Sequence, residues 1–150
     1  MKELAGSASG TTPASPEASI ALLAAVDRYP DWYPEVVKSV EVLERDASGQ
    51  PSKARAKLHV QHGPVTRDFD LTMSVDVDDH QGTVKLHRVP HEPADGEKFE
   101  VNWSVDGSAP TRIGLDLAAN LDVPRFLPLG AIGDAMAGGF VSAATKALGT

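Results

Sequence analysis

From residue 65 to residue 76 the chain alternates without a break. Val65, Arg67, Phe69, Leu71, Met73 and Val75 hold one parity, and Thr66, Asp68, Asp70, Thr72, Ser74 and Asp76 hold the other. Period-two alternation of this kind specifies a strand in a sheet with one dry and one wet face, the signature of antiparallel pairing. The neighbouring segment repeats the pattern, with Ala54, Ala56, Leu58 and Val60 set against Arg55, Lys57, His59 and Gln61. Further strands are expected over 37–45, 83–89, 98–105, where Phe99, Val101, Trp103 and Val105 share a face, and 111–119, where Ile113, Leu115 and Leu117 do. The connecting stretches DDHQG, EPADGE and DGSAP carry the Gly, Pro and Asp chemistry of tight turns. Gly63 and Pro64 break the chain between the two longest strands in the same way. The middle of this protein is therefore an antiparallel meander.

Helical signals bracket it. Residues 3–12 are rich in Gly, Ser, Ala and Thr and fit a weak edge strand. Ser15, Pro16 and Glu17 then form an N-cap arrangement that predicts a helix to about Val26. The block RYPDWYP, residues 28–34, ends that helix, because Pro30 and Pro34 lack the N–H a continuous helix needs. Tyr29, Trp32 and Tyr33 crowd at this corner and account for three of the eight aromatic residues of the chain. From Leu129 the period changes to three and four: Leu129, Ile132, Met136, Phe140, Ala143 and Ala147 trace one face of a helix of about five turns. Gly133, Gly138 and Gly139 lie inside it, each costing about 1 kcal/mol relative to Ala. Close backbone packing or tertiary contact has to offset them.

The resulting order is strand, helix, corner, antiparallel meander, long helix. It specifies an α+β layout with a helix gripped by a sheet. A chain of 150 residues is most simply one domain, able to bury roughly 70% of its unfolded surface.

The block ASIALLAAVDRYPDWYPEVVKSVEVLERD, the series SVDVDDHQGTVKLHRV and the terminal helix together resemble the START-like or SRPBCC superfamily. Its bacterial branch includes polyketide cyclase/dehydrase, coenzyme Q-binding and lipid-transfer proteins. The resemblance implies a helix-grip fold, a curved antiparallel sheet of about seven strands wrapped around the long C-terminal helix with two short helices after the first strand, and a deep, largely apolar cavity between the sheet and that last helix. Within that fold the inward positions Leu58, Val60, Phe69, Leu71, Met73 and Leu86 are expected to line the cavity. Trp103, Ile113 and Leu115 continue the wall on later strands, and Ile132, Met136 and Phe140 supply the helix side. Tyr33 at the corner and His62, Arg67 and Arg88 at strand ends complete the candidate site. Trp32 is read as corner packing.

Arg67 is the sharpest chemical candidate, since its parity is that of Phe69 and Leu71 and a buried guanidinium requires an acceptor. It either meets a ligand oxygen or pairs with an acidic side chain at the rim. The implied function is a binding or carrier protein for a lipid, isoprenoid, quinone or polyketide. The alternative is a polyketide aromatase/cyclase in which Arg67 stabilises an enolate. No cofactor is expected.

Other classes are disfavoured by the residues themselves. The 14 Lys and Arg against 21 Asp and Glu give a net charge of -7, without a basic cluster to hold a phosphate backbone, so no nucleic-acid partner is expected. No run of 18 apolar residues and no apolar signal core exists, which points to a cytoplasmic protein without stable membrane insertion; a monomer or weak homodimer is expected. With no cysteine, thiolate sites and disulfides are excluded. His87 and His91 are separated by Pro90, which defeats helical metal spacing, and Asp76, Asp78 and Asp79 lack the rest of a calcium loop. No metal site is expected.

Overall fold

The computed structural model describes residues 2–62, 65–78, 80–89, 98–107, 110–121 and 129–149, leaving the side chains of residues 2–4, 62, 65, 67, 121 and 129–131 undescribed. Seven strands form one antiparallel sheet: β1 (Lys2–Thr12), β2 (Val37–Arg45), β3 (Pro51–His62), β4 (Val65–Asp78), β5 (Thr83–Arg88), β6 (Lys98–Asp106) and β7 (Thr111–Leu121). Their order across the sheet is β1-β7-β6-β5-β4-β3-β2, so β1 and β2 are its edges. Between them in sequence lie α1 (Pro16–Ala24), a 3-10 turn (Val26–Arg28) and α2 (Tyr29–Trp32), and the chain ends in α3 (Leu129–Leu148).

The alternation read from the sequence holds strand by strand. Phe69, Leu71, Met73 and Val75 are buried, and their register partners Leu58 and Ala54 on β3 and Leu86 on β5 are buried with them. The opposite face is wet and ion-paired: Arg55 reaches Asp70 through two bonds of 2.6 and 2.7 Å, and His59 Nδ1 lies 2.6 Å from Asp68. Gly49 and Gly82 have φ of +88° and +67°, the left-handed turn geometry that glycine adopts without a Cβ penalty.

Ser15 caps α1 as its sequence implies, its hydroxyl accepting from the Ala18 N–H at 3.1 Å. The helix stops at Ala24, short of the expected Val26, because Ala25 leaves helical geometry at ψ 69°. The RYPDWYP corner is also more helical than its prolines suggest. Pro30 occupies the first turn of α2, where its missing N–H has no helical acceptor to lose, and Tyr29 takes φ -54°, ψ -38°. Pro34 does end the turn, with Tyr33 at φ -139°, ψ 57°.

α3 lies along β1 and the adjoining β7. Gly6 and Gly133 meet back to back: a Cβ on either would collide with the other element's backbone. Asp134 Oδ1 accepts the Ser7 N–H at 3.3 Å, which ties the helix to the free edge of β1. Farther along, Gly10 faces Val141 and Thr145. The glycines of β1 and α3 thus let backbone replace side chain at the contact, which is the compensation the interior Gly133 required.

Candidate functional site

With α3 committed to the β1–β7 side, the 3-10 turn and α2 lie against β2 and β3, and α1 lies against β5 and β6. Beneath them lies an apolar cavity. Val26 and Tyr29 roof it, Val37 and Val40 of β2 wall one side, and Phe140 of α3 closes the other. Its floor comes from β3 to β6. Ala54 and Ala56 sit opposite Met73 and Leu71 on the floor, and these two short side chains leave the room that larger residues would fill.

Counted with its open mouth, the atom-free space is about 520 Å³, but only about 40 Å³ of it admits the centre of a water-sized sphere. That is enough for three or four waters by volume, at roughly 10–15 Å³ each, yet an apolar wall offers water no partner. Ligand sites usually run to roughly 300–1,000 Å³. As bounded by the described residues, the cavity is therefore narrow, not the deep one the resemblance implied.

Two aromatic groups set this closure. Tyr29 is buried and donates its hydroxyl to the Leu23 carbonyl. Burial pushes its phenol pKa well above the ordinary range, an effect that a donor interaction from Trp103 partly opposes. The Trp103 indole N–H, itself buried, makes no bond of regular geometry among the described atoms, so we regard its pull on Tyr29 as a weak, off-axis contact. Tyr33, half-buried, meets Phe140 edge-on with centroids 4.9 Å apart and stacks on Trp32 at 6.3 Å. Its hydroxyl fills the space that a Cβ on Gly139 would take. Burial and the nearby Glu35 both raise its pKa.

Of the candidate residues, Leu58, Leu71, Met73, Leu86 and Phe140 line this cavity. Val60, Phe69, Trp103, Ile113, Leu115, Ile132 and Met136 are buried core outside its wall. Phe69 packs on Phe99, centroids 5.7 Å apart, and Trp103 lies behind Phe140 at 6.3 Å. The Tyr33 side chain meets the wall at Phe140, and its backbone bonds to the wall residues Tyr29 and Val37. Arg88 is half-buried at the end of β5, opposite the cavity residue Met73. The backbone of Arg67 pairs with Val60, but its side chain and that of His62 lie outside the described set. His91 does too. Among the described residues no group of three or more His, Asp or Glu could hold a metal ion.

The site residues expected from sequence do not include Val26, Tyr29, Val37, Val40, Ala54, Ala56, Val75, Phe99 and Val101, although all line the cavity. Six of them are recoverable from sequence, since Ala54, Ala56, Val75, Phe99 and Val101 belong to the alternating rows and Tyr29 to the aromatic corner. Val26, Val37 and Val40 are not. A register shift between Val37 and Ser39 lets residues three apart face the same side.

A helix and a curved sheet closing on an apolar space have counterparts among known proteins. Residues 12–148 match the family described as polyketide cyclase / dehydrase and lipid transport. The chain belongs to that family. In fold it is similar to a START superfamily protein from Mycobacterium smegmatis, at TM-score 0.78 and 18% identity over 97% of both chains. TTHA0849 from Thermus thermophilus is similar at TM-score 0.73 and 18% identity over 96% of both. The Zhui aromatase/cyclase from Streptomyces sp. R1128 aligns at TM-score 0.56 and 19% identity, over 97% of this chain and 86% of that one. No curated protein sequence matches the chain. The helix-grip α+β fold of the START superfamily is thus shown for this member of the polyketide cyclase / dehydrase and lipid transport family, and no described helix is long and apolar enough to cross a membrane.

Proposed function

We propose that this family member binds and carries an apolar small molecule, of the lipid, isoprenoid, quinone or polyketide kind, in the cavity between β2–β6 and Phe140. The observation that carries this reading is the chemistry of the wall. Every described lining residue is aliphatic, aromatic or Met, and the one hydroxyl among these described residues, that of Tyr29, is already committed to the Leu23 carbonyl. A site without a free acid, base or nucleophile is suited to holding a molecule by exclusion of water, worth about 25 cal/mol per Å² of apolar surface buried. On this reading residues 1–150 act as a single cytoplasmic ligand-binding domain, a monomer or weak homodimer without nucleic-acid partners.

Native mass spectrometry of freshly purified protein tests it. A retained hydrophobic compound, released on denaturation, is expected. An empty chain that also fails to take up quinone or lipid analogues sinks the carrier reading.

One observation favours a second reading, an aromatase/cyclase-type enzyme. The β4 backbone carries Arg67 at the same parity as the wall residue Leu71, and a guanidinium presented to the cavity from there would stabilise an enolate oxygen. Here Arg67→Ala should abolish turnover of a poly-ketone while leaving the fold intact. Unchanged turnover removes Arg67 from any such mechanism.

A further inference from the structure

The three interior glycines of α3 are not equivalent. Gly133 is required by the β1 backbone and Gly139 by the Tyr33 hydroxyl, but a Cβ on Gly138 would meet nothing within 4 Å. Gly138 therefore weakens the helix with no packing return, by about the 1 kcal/mol that separates glycine from alanine. Its position adds meaning to this. Upstream, α3 is pinned to β1 at Gly133 and through Asp134 to Ser7; downstream, it is held again where Val141 and Thr145 pack on Gly10. Between these two contacts with β1 lie the glycine pair and, directly after it, Phe140, the one α3 residue among the described cavity-wall residues, with Ala137 and Phe140 both buried.

We infer that Phe140 is the residue that decides what the cavity admits, and that Gly138 and Gly139 are the hinge on which it moves. Resting on the carrier reading, this identifies how an occupant fits where about 40 Å³ is open. A local loosening of the helical turn at the pair swings the Phe140 ring off the mouth while both anchors hold. The ligand takes the volume the ring gives up, so the bound state is the one with the turn loosened. An occupant is then a compact apolar group, ring-like in section, which replaces the Phe140 ring against Tyr33 and Trp103, the two rings it touches in the closed form.

Gly138→Ala tests the hinge, because it adds a methyl to open space and leaves the wall as it is. Backbone amide exchange read residue by residue should slow about fivefold at residues 139–142, the equivalent of about 1 kcal/mol, and remain unchanged near Ile132. Affinity for the apolar dye N-phenylnaphthylamine should fall by a similar factor, about fivefold, since the same free energy opposes the bound state. In Phe140→Leu, where the gate is shorter, the Gly138→Ala effect on dye affinity should shrink toward none. Exchange that is unaltered, or slowed equally along all of α3, overturns the hinge. Local slowing with dye affinity unchanged overturns its link to the cavity. If neither protein binds any apolar probe, the carrier reading fails, while the exchange pattern still decides the hinge by itself.

Discussion

Gly133→Ala and Gly138→Ala make the same chemical change on one helix and should move stability in opposite directions. On helix propensity alone each gains about 1 kcal/mol, because alanine loses less backbone freedom on folding. At Gly133 the new methyl would occupy the place of the Ala5 carbonyl. Neither partner there is a side chain that can rotate aside, so the helix has to lift from β1. Overpacking of this kind costs about 1–3 kcal/mol, and a backbone-on-backbone clash falls at the upper end. Lifting α3 also loosens Ile132 and Met136, which are only 3% and 8% exposed. Against the propensity gain, the net loss for Gly133→Ala is about 2 kcal/mol, or a Tm lower by roughly 4–8 °C for a chain of this size. Gly138→Ala meets open space and should raise Tm by roughly 2–4 °C. Urea unfolding with unchanged m-values supplies the free energies directly. If Gly133→Ala proves neutral or stabilising, α3 does not dock on β1 through glycine, and the placement of the cavity beside it is wrong.

Three further outcomes follow from the same geometry. Removing the buried hydroxyl in Tyr29→Phe leaves the Leu23 carbonyl without its donor and should cost about 1–3 kcal/mol by chemical denaturation; a change within experimental error would mean the bond is not formed. Both tyrosines of the chain have raised phenol pKa values, so phenolate absorbance of the folded protein should appear above the usual value near 10. Below that value neither state ionises and there is no effect. Above it the unfolded chain loses protons that Tyr29 keeps when folded, so stability should fall as pH rises past about 10, and less steeply in Tyr29→Phe. Loss of the α1 cap in Ser15→Ala should cost about 1 kcal/mol, read by thermal melting.

How much of this was legible beforehand depends on the range of the interactions involved. Parity is local, and it placed Leu58, Leu71, Met73 and Leu86 on the inner face and His59 on the outer one, as the structure has them. The helix of α3 and the Ser15 cap were legible for the same reason. Parity does not say which half of a face a helix will cover. Ile113, Leu115 and Trp103 point inward as expected, yet they are core because α3 docks on β1 and covers that side, a choice fixed by Gly6 and Gly133, which are 127 positions apart in the chain. The glycines announced close packing without naming the partner. Phe140 was legible as a wall residue, but its part in narrowing the cavity depends on Tyr33 and Trp103 reaching it from distant elements. The register shift at Val37 had no sequence signal strong enough to separate it from a regular strand.

The central claim, an apolar small molecule enclosed between the sheet and α3, is tested most directly by methyl NMR on the chain with a quinone or lipid analogue added. Saturable shifts confined to the methyls of Leu58, Leu71, Met73 and Leu86, with ring-current changes from a displaced Phe140, are expected. Shifts on the outer face beside Arg55 and Asp70, or none at saturating analogue, would contradict it.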